Sequence, residues 1–348
     1  MVIPAHAAQR NVTCNAGDGM HLDLLIPTLR RPHLLRAALD SVARSQPPRA
    51  LSVAVVVINN DADAVPSLAA ALSAGPYPVR VLHEPQPGKS AALNAGIAAS
   101  TADYIGFIDD DEEVAADWFQ VAERALETGK YDFIGGRSVL RPIENAPGWL
   151  PPGYPSVLGA ANSGADEAPY GPEFPGMLVG GNAVISRATL ERVGPYSTHL
   201  GPRADCRLFS CEDEEMYWRL IDSGARGQYF PTLVVYHHVH PERLRKSYYR
   251  AWCFWNGASK GLLSRQYPAM RPQLAGAPRY VYGHAIRGLL ACVRATVSGG
   301  PRAERLAGEL PVWRLAGHFY GRYVHRIHAP APPLRTASKP PAGAVAHL

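Results

Sequence analysis

Short apolar runs alternate with amphipathic stretches from Leu22 onward, and the two periods predict the elements. Leu24-Leu25-Ile26 reads as a strand. Val53 to Ile58 is a nearly unbroken β-branched run, the pattern of a strand buried on both faces. Val79–His83 and Tyr104–Ile108 read as two further strands. Between them, Pro32–Ser45 places Leu34, Leu35, Ala38 and Val42 on one helical face. Val65–Ser73, Lys89–Ala99 and Ala115–Glu127 read as three more helices. This alternation predicts parallel strands with helices on both faces. The segment from Pro142 to Pro175 is rich in Pro and Gly and has no period, so it reads as a long functional or disordered loop. Regular pattern resumes at Met177, with a helix over 213–223 and strands at Gln228–Phe230 and Leu233–Tyr236. An aromatic-rich helix follows over Glu242–Leu263, then amphipathic helices over Tyr280–Val297 and Arg302–Val324. Residues 1–20 and the Pro/Ala-rich end from Ala329 read as disordered tails.

Charge changes this picture at one end. The chain of 348 residues carries a formal +5, with only five lysines. Pro241 to Pro330 alone holds fifteen Lys and Arg against three Glu, so the rest is acidic. Such a block suits an anionic partner. Lipid headgroups fit better than nucleic acid, because no nucleic-acid-binding motif accompanies the block. Trp252, Trp255 and Trp313 either sit at headgroup level or pack the helical tail onto the sheet. No run of about 18 apolar residues exists and residues 1–20 lack a signal-peptide pattern, which predicts a cytoplasmic protein, placed at the inner face of the cell membrane if the tail binds lipid. The five cysteines (Cys14, Cys206, Cys211, Cys253, Cys292) form no CxxC spacing, which argues against a zinc site or a disulfide framework.

The candidate chemistry sits where strands end. Asp109-Asp110-Asp111 follows the Tyr104–Ile108 strand. Three adjacent carboxylates form either an acidic turn before a helix or a site for a hard cation, Mg²⁺ or Mn²⁺, shared with a phosphate. Pro27-Thr28-Leu29-Arg30-Arg31 ends the first strand, offering a hydroxyl and guanidiniums to an anion or simply capping a helix. Asn59-Asn60-Asp61 reads a base edge or makes a turn. Pro87-Gly88-Lys89-Ser90 opens a helix without P-loop spacing. A second acidic cluster, Glu212-Asp213-Glu214-Glu215, starts another helix, and His237-His238 ends a strand.

In this order the motifs resemble those of the family 2 glycosyltransferases. The likeness spans about Leu22 to Gly257. It rests on Ile26-Pro27-Thr28, on Ala92-Leu93-Asn94 within Gly88–Gly96, on Phe107-Ile108-Asp109-Asp110-Asp111 with Trp118, on Gly180-Gly181-Asn182, on Glu212-Asp213 with Arg219, and on Pro231 with His237. The resemblance implies a GT-A type α/β fold that binds a nucleotide sugar. Its central, mostly parallel sheet is flanked by helices over residues 21–240, with a basic helical extension over 241–328. It implies an inverting transfer of a sugar from a nucleoside-diphosphate sugar to a hydroxyl of a saccharide or lipid-linked acceptor. Pro27, Thr28, Arg31, Asn59, Asp61, Lys89, Asp109, Asp110, Gly181 and Asn182 would face the donor. Asp111, Asp109 and His237 would hold Mn²⁺ or Mg²⁺, with His238 as the competing histidine. Asp213 would be the base, and Glu212 would position it or the acceptor. Asn59 departs from the family's usual aspartate, which weakens any claim for UDP. Neither a QxxRW motif nor membrane spans occur, so transfer of one or a few sugars is expected rather than polymer export. A sugar-phosphate nucleotidyltransferase would carry a Gly-rich loop where Pro27-Thr28-Leu29-Arg30 stands. A non-catalytic nucleotide-sugar-binding module is the other alternative.

Overall fold

The computed structural model describes residues 19–61, 72–151, 153–203, 206–267 and 272–325. The helix expected over Val65–Ser73 and the tail from Ala329 lie largely or wholly outside them.

Four strands pair in parallel as expected: β1 (Met20–Thr28), β2 (Leu51–Asn59), β3 (Val79–His83) and β4 (Tyr104–Phe107), in the order β3-β2-β1-β4. Alternation along β1 and β2 sends Leu24, Ile26, Val55 and Val57 into one core, and Leu25, Val56 and Ile58 into another. Burial on both faces is why these strands read as unbroken apolar runs. The helix Pro32–Arg44 buries Leu34, Leu35, Ala38, Leu39 and Val42.

Beyond β4 the sheet is mixed rather than mostly parallel. A three-residue strand, β5 (Glu112–Val114), follows the aspartates directly and delays the next helix to Trp118–Glu127. Strands β6 (Phe133–Leu140), β7 (Ala168–Pro169) and β8 (Ala183–Ser186) lead to β9 (Gly227–His237). β8 runs antiparallel to both β4 and β6, β6 and β9 are parallel, and β5 and β7 run antiparallel to β9. The two strands expected over 228–236 are thus one. Pro231 lies where the β6–β9 register shifts, a position that does not need its missing N–H. The segment 142–175 includes a short helical turn, Pro155–Leu158, and β7.

The C-terminal helices Lys246–Gln266, Arg279–Val297 and Arg302–Phe319 pack on one another and on the turn at 155–158 through Tyr249, Cys253, Leu306 and Leu310. Trp252 and Trp255 pack inward, the latter against Phe209 and Tyr320, while Trp313 is 40% exposed.

Candidate active site

The pairing of β5 with β9 builds the site. Glu112 lies opposite His237, and His238 N–H bonds the Asp111 carbonyl at 2.8 Å, so the end of β9 is clamped to the acidic loop. Asp110 and Asp111 are 5% and 4% exposed. Thr28 Oγ1 donates to Asp110 Oδ2 at 2.8 Å. Arg31 Nη1 reaches Asp110 Oδ1 at 3.0 Å and Asp111 Oδ2 at 3.2 Å. Arg30, just before it, holds a left-handed backbone (φ 54°), a strained conformation for a non-glycine residue. Burial pushes Asp110 up to about 6, with Arg31 opposing. Burial works against the charge of Asp111 too, but His240, His237, Arg243 and Arg31 hold it well below the usual carboxylate range.

Around Asp111, His237 Nε2 lies 3.7 Å from Oδ1, while His240 Nε2 and Arg243 Nη2 lie 3.5 and 3.7 Å from Oδ2. Burial lowers His237 to about 4, so its imidazole is neutral at neutral pH. His240 Nε2 is buried and makes no hydrogen bond. His238 turns away: its Nε2 bonds Glu113 at 2.6 Å, and Arg141 holds that same carboxylate. Among the described residues no group of three or more His, Cys, Asp or Glu side chains is already gathered as a cation site.

Lys89 joins the two acidic clusters. Its Nζ donates to Asp109 at 2.9 Å and lies 3.9 Å from both Glu212 Oε1 and Asp213 Oδ2. Burial opposes the lysine's charge, yet Asp109, Asp213 and Glu212 raise it well above its ordinary value. The acidic helix Glu212–Asp222 starts from Cys211, itself left-handed (φ 74°). Burial and the neighbouring Asp213 push Glu212 up to about 8, against Lys89. Burial likewise raises Asp213, with Lys89 acting against it. Asp213 Oδ1 is buried without a hydrogen-bond partner.

Several expected donor contacts are placed otherwise. Asn182 is fully buried: it accepts from Trp118 Nε1 and donates to the carbonyls of Arg137 and Leu233, so its side chain braces the sheet. Gly181 precedes it in the chain. It is buried, and a Cβ there would fall 2.1 Å from Glu112 Oε2; at Gly180 it would fall 2.0 Å from Asp213 Oδ1. The glycines therefore make room for the protein's own carboxyls. Asp61 is engaged by Arg30 in a two-point ion pair at 2.5 and 2.8 Å. Asn60 fixes the Lys89 loop, accepting from Gly88 N–H and donating to the carbonyls of Glu84 and Gln86. Asn59 and Pro27 lie at the ends of β2 and β1 beside Thr28. Sequence reasoning missed His240 and Arg243. They stand just past β9, and the His237-His238 pair was the only signal pointing to that turn.

Comparison with known proteins agrees with this fold. Residues 23–194 match the model of the family described as glycosyl transferase family 2. The succinoglycan biosynthesis protein ExoM of Rhizobium meliloti (strain 1021) is 35% identical over 143 residues, 38% of this chain and 43% of that protein. The pre-mycofactocin glycosyltransferase of Mycobacterium tuberculosis (strain CDC 1551 / Oshkosh) is 29% identical over 213 residues, 60% of this chain and 42% of that protein. The chain thus spans less than half the length of these curated relatives. Among solved structures, the mannosyltransferase PcManGT from Pyrobaculum calidifontis, in complex with GDP-Man and Mn²⁺, shares the fold. Its TM-score is 0.52 at 18% identity, over 87% of both chains. With the ordered motifs and the sheet that carries them, the matched segment makes the assignment: residues 23–194 of this chain form a glycosyl transferase family 2 domain.

Proposed function

We propose that the chain is a metal-dependent, inverting glycosyltransferase that moves a sugar from a nucleoside-diphosphate sugar to an acceptor hydroxyl. The observation that carries this reading is Lys89, which bonds Asp109 and lies 3.9 Å from Asp213, so that the two acidic clusters meet at one amine. Residues 21–240 would form the transferase body and 241–328 an accessory extension.

Asp111 would hold Mn²⁺ or Mg²⁺, with His237 and His240 beside it and Asp109 nearby. The fit rests on two imidazole nitrogens flanking one buried, charged carboxylate, one of them without a hydrogen bond. A single carboxylate with a few helpers is the usual protein share for a hard cation that also binds a diphosphate. When bound, the ion would offset the charge growing on the departing nucleoside diphosphate. Arg31 and Arg243 would exchange Asp111 for phosphate oxygens, to which guanidinium forks are suited. Thr28, Asp110, Pro27 and Asn59 would line the nucleoside side. Asp213 would take the acceptor proton as its oxygen attacks the anomeric carbon and the bond from that carbon to the diphosphate oxygen breaks. One displacement inverts the centre. Its raised pKa makes Asp213 a stronger base than a solvated aspartate. Glu212 keeps its own proton at neutral pH, which spares Asp213 a neighbouring charge.

The relative named for succinoglycan biosynthesis supports a polysaccharide precursor as acceptor. A lipid-linked saccharide reached at the inner face of the membrane is the finer form of this reading. A panel of nucleotide sugars, screened for thermal stabilisation with and without Mn²⁺, tests the reading. At least one should stabilise the protein only with the cation and be slowly hydrolysed without acceptor. Stabilisation by none, or equally well in a chelator, refutes it.

A further inference from the structure

The helix Arg279–Val297 packs one face on Arg302–Phe319 and leaves the opposite face bare. Ile286, Leu289, Leu290, Val293 and Val297 are 60%, 52%, 64%, 52% and 84% exposed. Their spacing puts all five on one stripe. Arg287 and Arg294 each follow a stripe residue by one position, so they stand on its shoulder, and both are exposed. This helix contains no Asp or Glu. No helix among the described residues is long and apolar enough to cross a membrane.

Behind the stripe lies a cavity of about 540 Å³ between this helix and Arg302–Phe319. Its walls are mainly apolar, including Val281, Ala291 and Pro311, with Glu304 among the polar groups. Arg314 lines it while only 8% exposed, and its Nε has no hydrogen-bond partner. Its guanidinium lies 5.9 Å from the Trp252 ring and opposes the upward push of burial on the Cys253 thiol, and among the described residues no carboxylate forms an ion pair with it. His284 and Arg287 join it: burial lowers His284, and both arginines add to that shift. Pro311 removes the N–H that would have met the Ala307 carbonyl, and Tyr154 Oη donates to that carbonyl instead at 3.1 Å. A buried cation without an anion is costly unless a ligand supplies the charge.

We propose that this face docks on an anionic lipid bilayer. The stripe lies at the boundary of headgroups and acyl chains, Arg287 and Arg294 contact lipid phosphates, and one phosphate headgroup enters the cavity toward Arg314. An apolar stripe with arginines on its shoulder is the chemistry of a helix lying in that plane. A second copy fits less well. A two-fold contact is self-complementary, and it would bring a basic, acid-free helix against itself. This gives the membrane contact suggested above a face and a lipid class, and vesicle binding can fail independently of donor hydrolysis.

The full chain is tested by flotation with phosphatidylcholine vesicles, with and without phosphatidylglycerol, at low and high salt. It is expected to float with the anionic vesicles at low salt only. The triple variant Ile286→Ser, Leu290→Ser, Val293→Ser alters exposed residues alone and should bind roughly tenfold or more weakly, with unchanged melting and donor hydrolysis. Arg314→Met should weaken binding about fivefold. If that variant melts early, Arg287→Gln on the rim makes the same test. No flotation of the wild type, or undiminished flotation of the triple variant, overturns the proposal. So does a wild-type dimer that the triple variant converts to monomer, which would give the face to a second copy. Unchanged affinity in both arginine variants refutes the headgroup in the cavity.

Discussion

Replacing Gly180 with alanine tests whether Asp213 works where the fold holds it. A Cβ at that position would sit 2.0 Å from Asp213 Oδ1 and 2.1 Å from Cγ and Oδ2, where ordinary contact begins near 3.4 Å. The carboxyl group must therefore retreat by about 1.4 Å. Gly180 is not among the glycines with positive φ, so the backbone accepts alanine without strain. A displacement of about 1 Å at a reacting group costs on the order of 10²-fold, or about 2.7 kcal/mol of barrier. Steady-state kinetics of Gly180→Ala should show kcat reduced by roughly that factor, with donor KM little changed. Thermal melting should confirm an intact fold. Near-normal turnover in a folded variant would show that Asp213 need not occupy this position, and would remove it as the base.

Other consequences can be measured separately. Folded Glu212 binds its proton up to about pH 8, whereas the unfolded chain releases it above about 4.5. The metal-free protein should therefore lose stability as pH rises from 4.5 to 8, by on the order of a few kcal/mol. Glu212→Gln should flatten that dependence in thermal melts, and an unchanged slope would contradict the assignment. His237→Ala and His240→Ala should each weaken Mn²⁺-dependent donor binding about tenfold or more in calorimetry, while His238→Ala, whose ring is bound to Glu113, should not. The opposite ranking would move the cation to the other side of β9.

The first half of the sheet was legible because Leu24–Ile26 and Val53–Ile58 are buried on both faces, which leaves plain apolar runs. β5 was not, since two of its three residues are Glu112 and Glu113, and pairing with β9 overrides their low strand preference. Pro231 hid the continuity of β9, because a register shift that tolerates proline is a tertiary fact. At the site, the residue types at a strand end marked Asp109 to Asp111, and those at helix starts marked Lys89 and Asp213. Sequence could not show that Gly180 and Gly181 face carboxyls, that Asn182 is wholly enclosed, or that His240 turns back to Asp111. Each depends on segments brought together from far along the chain.

The division of labour between Asp111 and Asp213 is tested most directly by paired calorimetry and turnover of Asp111→Ala and Asp213→Asn with the nucleotide sugar and Mn²⁺. Asp213→Asn should bind the donor with an affinity close to wild type yet transfer no sugar, and Asp111→Ala should lose the cation-dependent part of donor binding. Turnover retained by Asp213→Asn, or full Mn²⁺-dependent binding by Asp111→Ala, would contradict the account.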